Sequence, residues 1–455
     1  MILGQDSPRA RAMYLRTLPS IRERCAQVHE LAKQGRLQYF DYHPDKEDAV
    51  VDFCTSIITR DFGNDFASIP PHGRWRHLDA GRSRIEPMLR SWEASDLSID
   101  NREICKRLVD LFLVSVLLDA GAGNQWTYSE PEASGQTFSR SEGLAVASVH
   151  MFAAGLFSGL ASQPFRVDGS VMFRTFFQIR ADGVPMTAEG LAHITVNKVG
   201  GAMQVSSSNP MVGLEGRASL LYNLSTALRL NPKFFGEDGR PGNMIDFLEA
   251  ESKLEGAIRR IHISVLWGVL IEGLSPIWPV RLTLDNTALG DVWSCSALRQ
   301  LGQAEGDDLV PFHKLTGWIT YSLIEPIEKL LGWSFEGLED MTGLPEYRNG
   351  GLLVDFGVLA LRPNVLASEC YPDNSDIPHL PPSHPAVVEW RAMTVIELDR
   401  IADAIRRKHN LSKDKLTLAQ VLESATWKGG REIAKTLRPS TGGPPIDIVS
   451  DGTVF

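Results

Sequence analysis

The sequence predicts a mainly α-helical fold with few short strands, and three observations carry that expectation. Segments with helical apolar spacing dominate the 455 residues. One of them, LVDLFLVSVLLD (108–119), is apolar almost all round. Strand signals are sparse by comparison.

Taken along the chain, 108–119 reads as a helix buried on every side. The stretches 142–157, 216–230, 243–274, 312–331 and 387–409 also read as helices. Asn231-Pro232 stops the second of these, and Asp246 with Glu249 sits early in the third. The better strand candidates are AMQVSSS (202–208), RLTLD (281–285) and the tail PIDIVSDGTVF, where Asp451-Gly452 is a hairpin signal. PDNSDIPHLPPSHP (372–385) has linker composition. The expected organisation is an N-terminal helical region (1–100), a helical catalytic core (101–371), that linker, and a C-terminal helical appendage (386–455) ending in a hairpin.

Composition narrows the function. The chain is 43% hydrophobic with a formal net charge of −10, which fits a globular enzyme-sized protein. No basic block is present, so a nucleic-acid partner is not expected. Five scattered cysteines without a C-x-x-C argue against a disulfide framework and for a cytoplasmic setting. No signal peptide is expected, and LFLVSVLL (111–118) is too short to span a bilayer, so no membrane partner is expected either. There is no G-x-x-x-x-G-K-[ST], no G-x-S-x-G and no H-x-x-x-H; neither metal nor cofactor is expected. Oligomeric state is left open.

Three constellations carry chemistry. In DAGAGNQWTYSE (119–130), a Gly-Ala-Gly turn ends the buried helix and is followed by Trp126, Tyr128 and Glu130. These could stack on a flat heterocycle and read its edge; on spacing alone, a helix C-cap with aromatic packing is the better fit. In PFHKLTGWITYSLIEPIEKLLGW (311–333), His313 and Lys314 stand at a helix start, where Lys314 could reach a phosphate as a point charge or simply be solvated. Glu325 and Glu328 read as surface charges near Lys329. In GLPEYRNGGLLVDFG (343–357), Glu346, Arg348 and Asn349 precede a Gly-Gly break expected to turn the chain beneath a ligand. Asp355 follows, lodged among apolar residues. A buried carboxylate there needs a partner or is a site residue with a shifted proton affinity.

The runs SVLLDAGAGNQWTYSE, RSEGLAVAS, RPGNMIDFL, LVPFHKLTGWITYSLIEPIEKLLGW, GLPEYRNGGLLVDFGVL and TLAQVLESATWKGGREIAKTLRP resemble the uracil-catabolism protein family of fungi and bacteria, whose fungal members are called uracil-regulated proteins. The resemblance runs from about residue 10 to 455. It implies breakdown of a uracil nucleotide by cleavage of the uracil–ribose bond in uridine monophosphate. A more distant similarity, to queuosine-nucleotide salvage glycosylases, lies in Phe312-His313-Lys314 and Glu346-Tyr347-Arg348. It implies a multi-helix core resembling helix-hairpin-helix glycosylases, and a role for Asp119 with Trp126. Glu346 stands where those glycosylases carry Asp, so Glu346 or Asp355 could face the anomeric carbon. On this reading the partner is a small-molecule nucleotide, Glu346 and Asp355 are the catalytic candidates, and Lys314, Arg348, Asn349, Asp119, Trp126, Tyr128, Glu130 and His313 are the binding candidates. A phosphoribosyltransferase and a non-enzymatic pyrimidine-nucleotide-binding regulator are the competing expectations.

Overall fold

A computed structural model describes residues 7–131, 135–160, 162–169, 190–301, 304–372 and 375–449. The fold is mainly α, with short strands paired into small ribbons. Seven helices matter for the site: α1 (Leu18–Lys33), α2 (Asn101–Leu117), α3 (Arg140–Ala153), α4 (Lys314–Leu331), α5 (Tyr347–Asp355), α6 (Pro385–His409) and α7 (Trp427–Leu437).

At the centre, α2 lies along α4. Asp100 caps α2 by accepting the Glu103 N–H at 2.8 Å. From Leu108 to Leu117 every residue of α2 is buried. Asp110, in that stretch, is matched by Arg240 at 2.7 Å and by the Gly242 N–H at 2.7 Å. On the other side α6 packs against α1 and α5, and α5 packs against α7. The buried side chains form one continuous cluster from Leu18 to Ile448, with a small satellite under Leu15. Helix α6, expected in a separate appendage, thus contributes Val387, Trp390 and Leu398 to the same core as α1.

Several local expectations are corrected. The 243–274 stretch is not one helix: Met244–Glu251 and Ile263–Gly273 are helical, and between them Lys253–Glu255 and Ile258–His262 pair antiparallel around Gly256 at φ +63. Glycine suits that left-handed turn, and Ile258 and Ile261 favour extended backbone. AMQVSSS ends a helix at Ala202 and then makes a single bridge, Ser206 to Asn209. Thr283–Leu284 does pair, with Thr287–Ala288. Asp447–Ile448 pairs in parallel with His379–Leu380 from the expected linker; Asp451-Gly452 lies outside the described residues.

Gly350 and Gly351 do not break the chain, because α5 runs straight through them. Their role is close packing. A Cβ on Gly350 would lie 2.7 Å from the Trp390 ring, and one on Gly351 would lie 3.0 Å from Pro445. On α7, a Cβ on Gly430 would collide with the Arg348 carbonyl. Gly268, in the helix Ile263–Gly273, has nothing within 4 Å of that position. The two sites therefore respond to the same change with opposite sign. Gly430→Ala is expected to cost about 1–3 kcal/mol and Gly268→Ala to gain about 0.5–1 kcal/mol, both read from urea denaturation midpoints.

Candidate functional site

A cavity of about 610 Å³ opens where the ends of these helices converge. That volume suits a small organic ligand. Its wall is drawn from distant stretches: His72 and His77, the turn 119–125, Arg140 and Ser141 at the start of α3, Lys314 and Trp318 on α4, Glu346 and Tyr347 at the start of α5, Trp427 on α7, and Pro444 with 447–449.

Glu346 is the N-cap of α5. Its two carboxylate oxygens accept the backbone N–H groups of Arg348 at 2.8 Å and Asn349 at 2.6 Å. These bonds favour the ionised form, as does the nearby Lys314 ammonium, yet burial outweighs them and raises the Glu346 carboxyl above its ordinary range. Lys314 is affected in the converse way. Burial lowers its proton affinity, against the pull of Glu346 and Asp119. Its ammonium makes no hydrogen bond to a described residue. An acid and a base, both pushed toward neutrality, thus share one wall, which is a hallmark of reactive sites.

Asp119 is more firmly tied. Its Oδ1 accepts the Ser141 hydroxyl at 2.6 Å, and its Oδ2 accepts the Trp318 indole N–H at 3.0 Å and pairs with Arg74 at 2.8 Å. Arg74 is fully buried and also donates to Ser115. The carboxylate therefore fixes Trp318 against α2 and α3. Arg140, at φ +54, donates to Asn124 Oδ1 at 3.0 Å and to the Thr441 carbonyl at 2.9 Å. Burial lowers its proton affinity, and the neighbouring Arg348 adds to that effect.

The other end of the cavity is aromatic. The His72 ring lies 4.6 Å from Trp318 and 5.6 Å from Trp427, and His77 lies 5.1 Å from Trp427. These histidines come from PPHGRWRH (70–77), which sequence reasoning passed over. The available signal was two histidines five residues apart enclosing two arginines and a tryptophan, with no apolar period to explain them.

The structure thus brings Lys314, Glu346 and Asp119 together and places the other expected site residues elsewhere. Trp126 is buried with its indole N–H on the Met203 carbonyl at 2.9 Å. Tyr128 pairs with Phe138 in a two-stranded ribbon and packs on His150. Glu130 is gripped by Arg84 at 2.7 Å, Arg82 at 2.6 Å and His150 at 3.0 Å; the hydrogen bonds from Arg84 lead in holding its carboxyl far below the usual range. In that segment it is the 119–125 turn, not the aromatic residues after it, that faces the cavity. The aromatic surfaces come instead from Trp318, Trp427 and Tyr347. Arg348 donates to the Gly442 carbonyl at 2.8 Å. Asn349 donates to the Leu344 carbonyl at 3.1 Å. His313, left-handed at φ +44, donates from Nε2 to the Leu15 carbonyl at 2.8 Å and lines a separate pocket of about 20 Å³. Glu325 is buried, bound by Arg76 at 2.9 Å and by Lys329 at 2.8 Å, so it is no surface charge. Asp355 has the partner its burial required: Arg438 holds both oxygens, at 2.8 and 2.6 Å.

No group of three or more His, Cys, Asp or Glu among the described residues could hold a metal ion. No described helix is long and apolar enough to cross a membrane.

A family model described as "Protein of unknown function (DUF1688)" matches residues 14–178 and 171–455. The chain is similar to "Uracil catabolism protein 4" of Lachancea kluyveri, 40% identical over 456 residues, which cover 97% of this chain and 98% of that protein. It is also similar to "Protein urg3" of Schizosaccharomyces pombe, 40% identical over 444 residues, with the same coverage, 97% and 98%.

The Asp355–Arg438 pair ties the end of α5 to the end of α7. Asp355→Asn, which removes the charge and one acceptor, is expected to cost about 1–3 kcal/mol in urea denaturation. An unchanged midpoint would remove the structural role and return Asp355 to consideration as a reacting group.

Proposed function

The chain belongs to the DUF1688 family, and from that premise we propose that it acts in uracil catabolism as a uridine monophosphate N-ribohydrolase, releasing uracil and ribose 5-phosphate. The observation that carries the reading is Glu346, a buried carboxylate held by two backbone N–H groups on the wall of a nucleotide-sized cavity.

Cleaving an N-glycosidic bond passes through an oxocarbenium-like state at the anomeric carbon. It calls for a carboxylate near the sugar and an oriented water. Glu346 is suited to both tasks. Its anion stabilises the developing cation, and its raised proton affinity makes it a competent base for the water proton. Fixed in place by its own helix N-terminus, it needs no reorganisation during the reaction. Lys314 and Arg140 are the wall cations available to a phosphate. Burial and the nearby Arg348 both lower the proton affinity of Arg140, and an anion bound beside it would offset this. Arg348, engaged on Gly442, keeps that loop in place. Trp318, Trp427 and Tyr347 offer faces for the base. The name of the Lachancea kluyveri relative supports uracil as the base.

The test is product analysis. Purified protein is incubated with uridine monophosphate, cytidine monophosphate and uridine, without metal or pyrophosphate, and free base is measured by chromatography. Uracil from the nucleotide, with little from the nucleoside, is expected. No base from any of them would overturn the reading in favour of a binding or regulatory role, and stimulation by pyrophosphate would favour a transferase. Glu346→Gln is expected to lower kcat by about 10²–10⁴-fold while binding of the nucleotide persists. Because the reaction needs ionised Glu346, kcat should rise with pH through an acid limb. Burial places that limb above the value of about 4.3 for a free glutamate.

A further inference from the structure

Glu346 and Lys314 address the sugar and the phosphate, which leaves the departing base without a partner. When the bond between the anomeric carbon and N1 breaks, its electron pair goes to the base, and a proton delivered to the base lowers the cost.

His72 is built for that task. Its backbone N–H donates to the Ala419 carbonyl at 2.9 Å. Its Nδ1 lies 2.6 Å from Glu423 Oε2. Both acceptors come from one helical run, and Glu423 sits in a five-residue π-helical segment, Leu422–Thr426, that interrupts it just before α7. Such a bulge redirects side chains and recurs at functional sites. The ring is thereby held at one edge and stacked on Trp318 at 4.6 Å with a 33° tilt. Its Nε2 makes no hydrogen bond to a described residue, and His72 is part of the cavity wall. A carboxylate on Nδ1 fixes the orientation of the ring and leaves Nε2 as the edge that can pass a proton to a ligand. A purely structural latch would use Nδ1 alone and would not need the residue to line a cavity. The neighbouring His77 is kept neutral by burial and by Arg74.

We propose that His72, held by Glu423, donates the proton to the leaving base, and that the His72–Trp318–Trp427 corner is the subsite for a flat heterocycle carrying a carbonyl beside the glycosidic nitrogen. The proposal rests on the ribohydrolase reading. In the step, the C–N bond breaks and its electrons pass through the ring to the carbonyl oxygen, which takes the Nε2 proton. Water adds to the anomeric carbon and gives a proton to Glu346. The products are neutral uracil and ribose 5-phosphate, and the proton on Glu346 returns to neutral His72 through solvent. Glu423 is a positioning residue.

The test compares uridine monophosphate with 5-fluorouridine monophosphate, whose base leaves more readily as an anion. His72→Phe and His72→Gln are expected to lose about 10²-fold in kcat on the first substrate and far less on the second. Glu423→Gln should show the same leaving-group signature, more weakly, and Glu346→Gln should lose equally on both. Equal losses on both substrates for the two His72 variants, or none, would overturn the proposal. If the wild-type protein releases no base at all, the ribohydrolase reading fails and the proton-donor role falls with it. The subsite is then read alone, by quenching of tryptophan fluorescence with free uracil. Quenching that disappears in His72→Phe supports the subsite. Quenching unchanged in that variant, or absent in the wild type, overturns it.

Discussion

One guanidinium sets the starts of both helices that carry Lys314 and Glu346. Arg391, buried on α6, binds both oxygens of Asp291, at 2.8 and 2.9 Å, and donates to the Pro345 carbonyl at 3.3 Å. Asp291 in turn accepts the Lys314 N–H at 2.9 Å and so caps α4, a task that His313, its ring on the Leu15 carbonyl, does not perform. Pro345 immediately precedes Glu346. Burial alone would raise the Asp291 carboxyl, but Arg391, the Trp293 indole and the Lys314 N–H outweigh it and hold the group far below the usual range. The Arg391 guanidinium also covers the Phe312 ring at 4.1 Å. Leaving either charge unpaired would be costly, so the pair is effectively obligatory once the core closes.

That constraint explains the electrostatics of the cavity. Lys314 and Glu346 each lose solvation because the helices bearing them are drawn together at their N-terminal ends. The positive ends of two helix dipoles therefore face one space. This field favours an anion in the cavity and disfavours a second free cation there. A second acid of the wall, Asp119, is paired from behind with Arg74, accepts the Ser141 hydroxyl and acts as a tether for Trp318.

The helical class, α2, α4 and α6 were legible in the sequence because apolar periodicity reports burial directly. Lys314 was legible at a predicted helix start, Glu346 as an acid before the glycine pair, and Asp119 through the family resemblance. What escaped reading depends on contacts between distant stretches. Glutamate is not a common N-cap, so nothing local marked Glu346 as the first residue of a helix rather than part of a loop. The Gly350-Gly351 pair carries the composition of a turn, and only Trp390 and Pro445, from elsewhere in the chain, show it to be a packing device. Trp126 and Tyr128 looked like a base platform, but their neighbours Met203 and His150 enclose them. The Asp355–Arg438 pair spans 83 positions and the His72–Glu423 pair spans 351. Neither spacing leaves a pattern in one sequence.

The last described residues complete the cavity: Pro444 and 447–449 form part of its wall, and Asp447–Ile448 is pinned to His379–Leu380. During synthesis, Lys314 and Glu346 leave the ribosome well before that wall exists. The cavity that Lys314 and Glu346 line is therefore completed only when the last-made of its wall residues are in place.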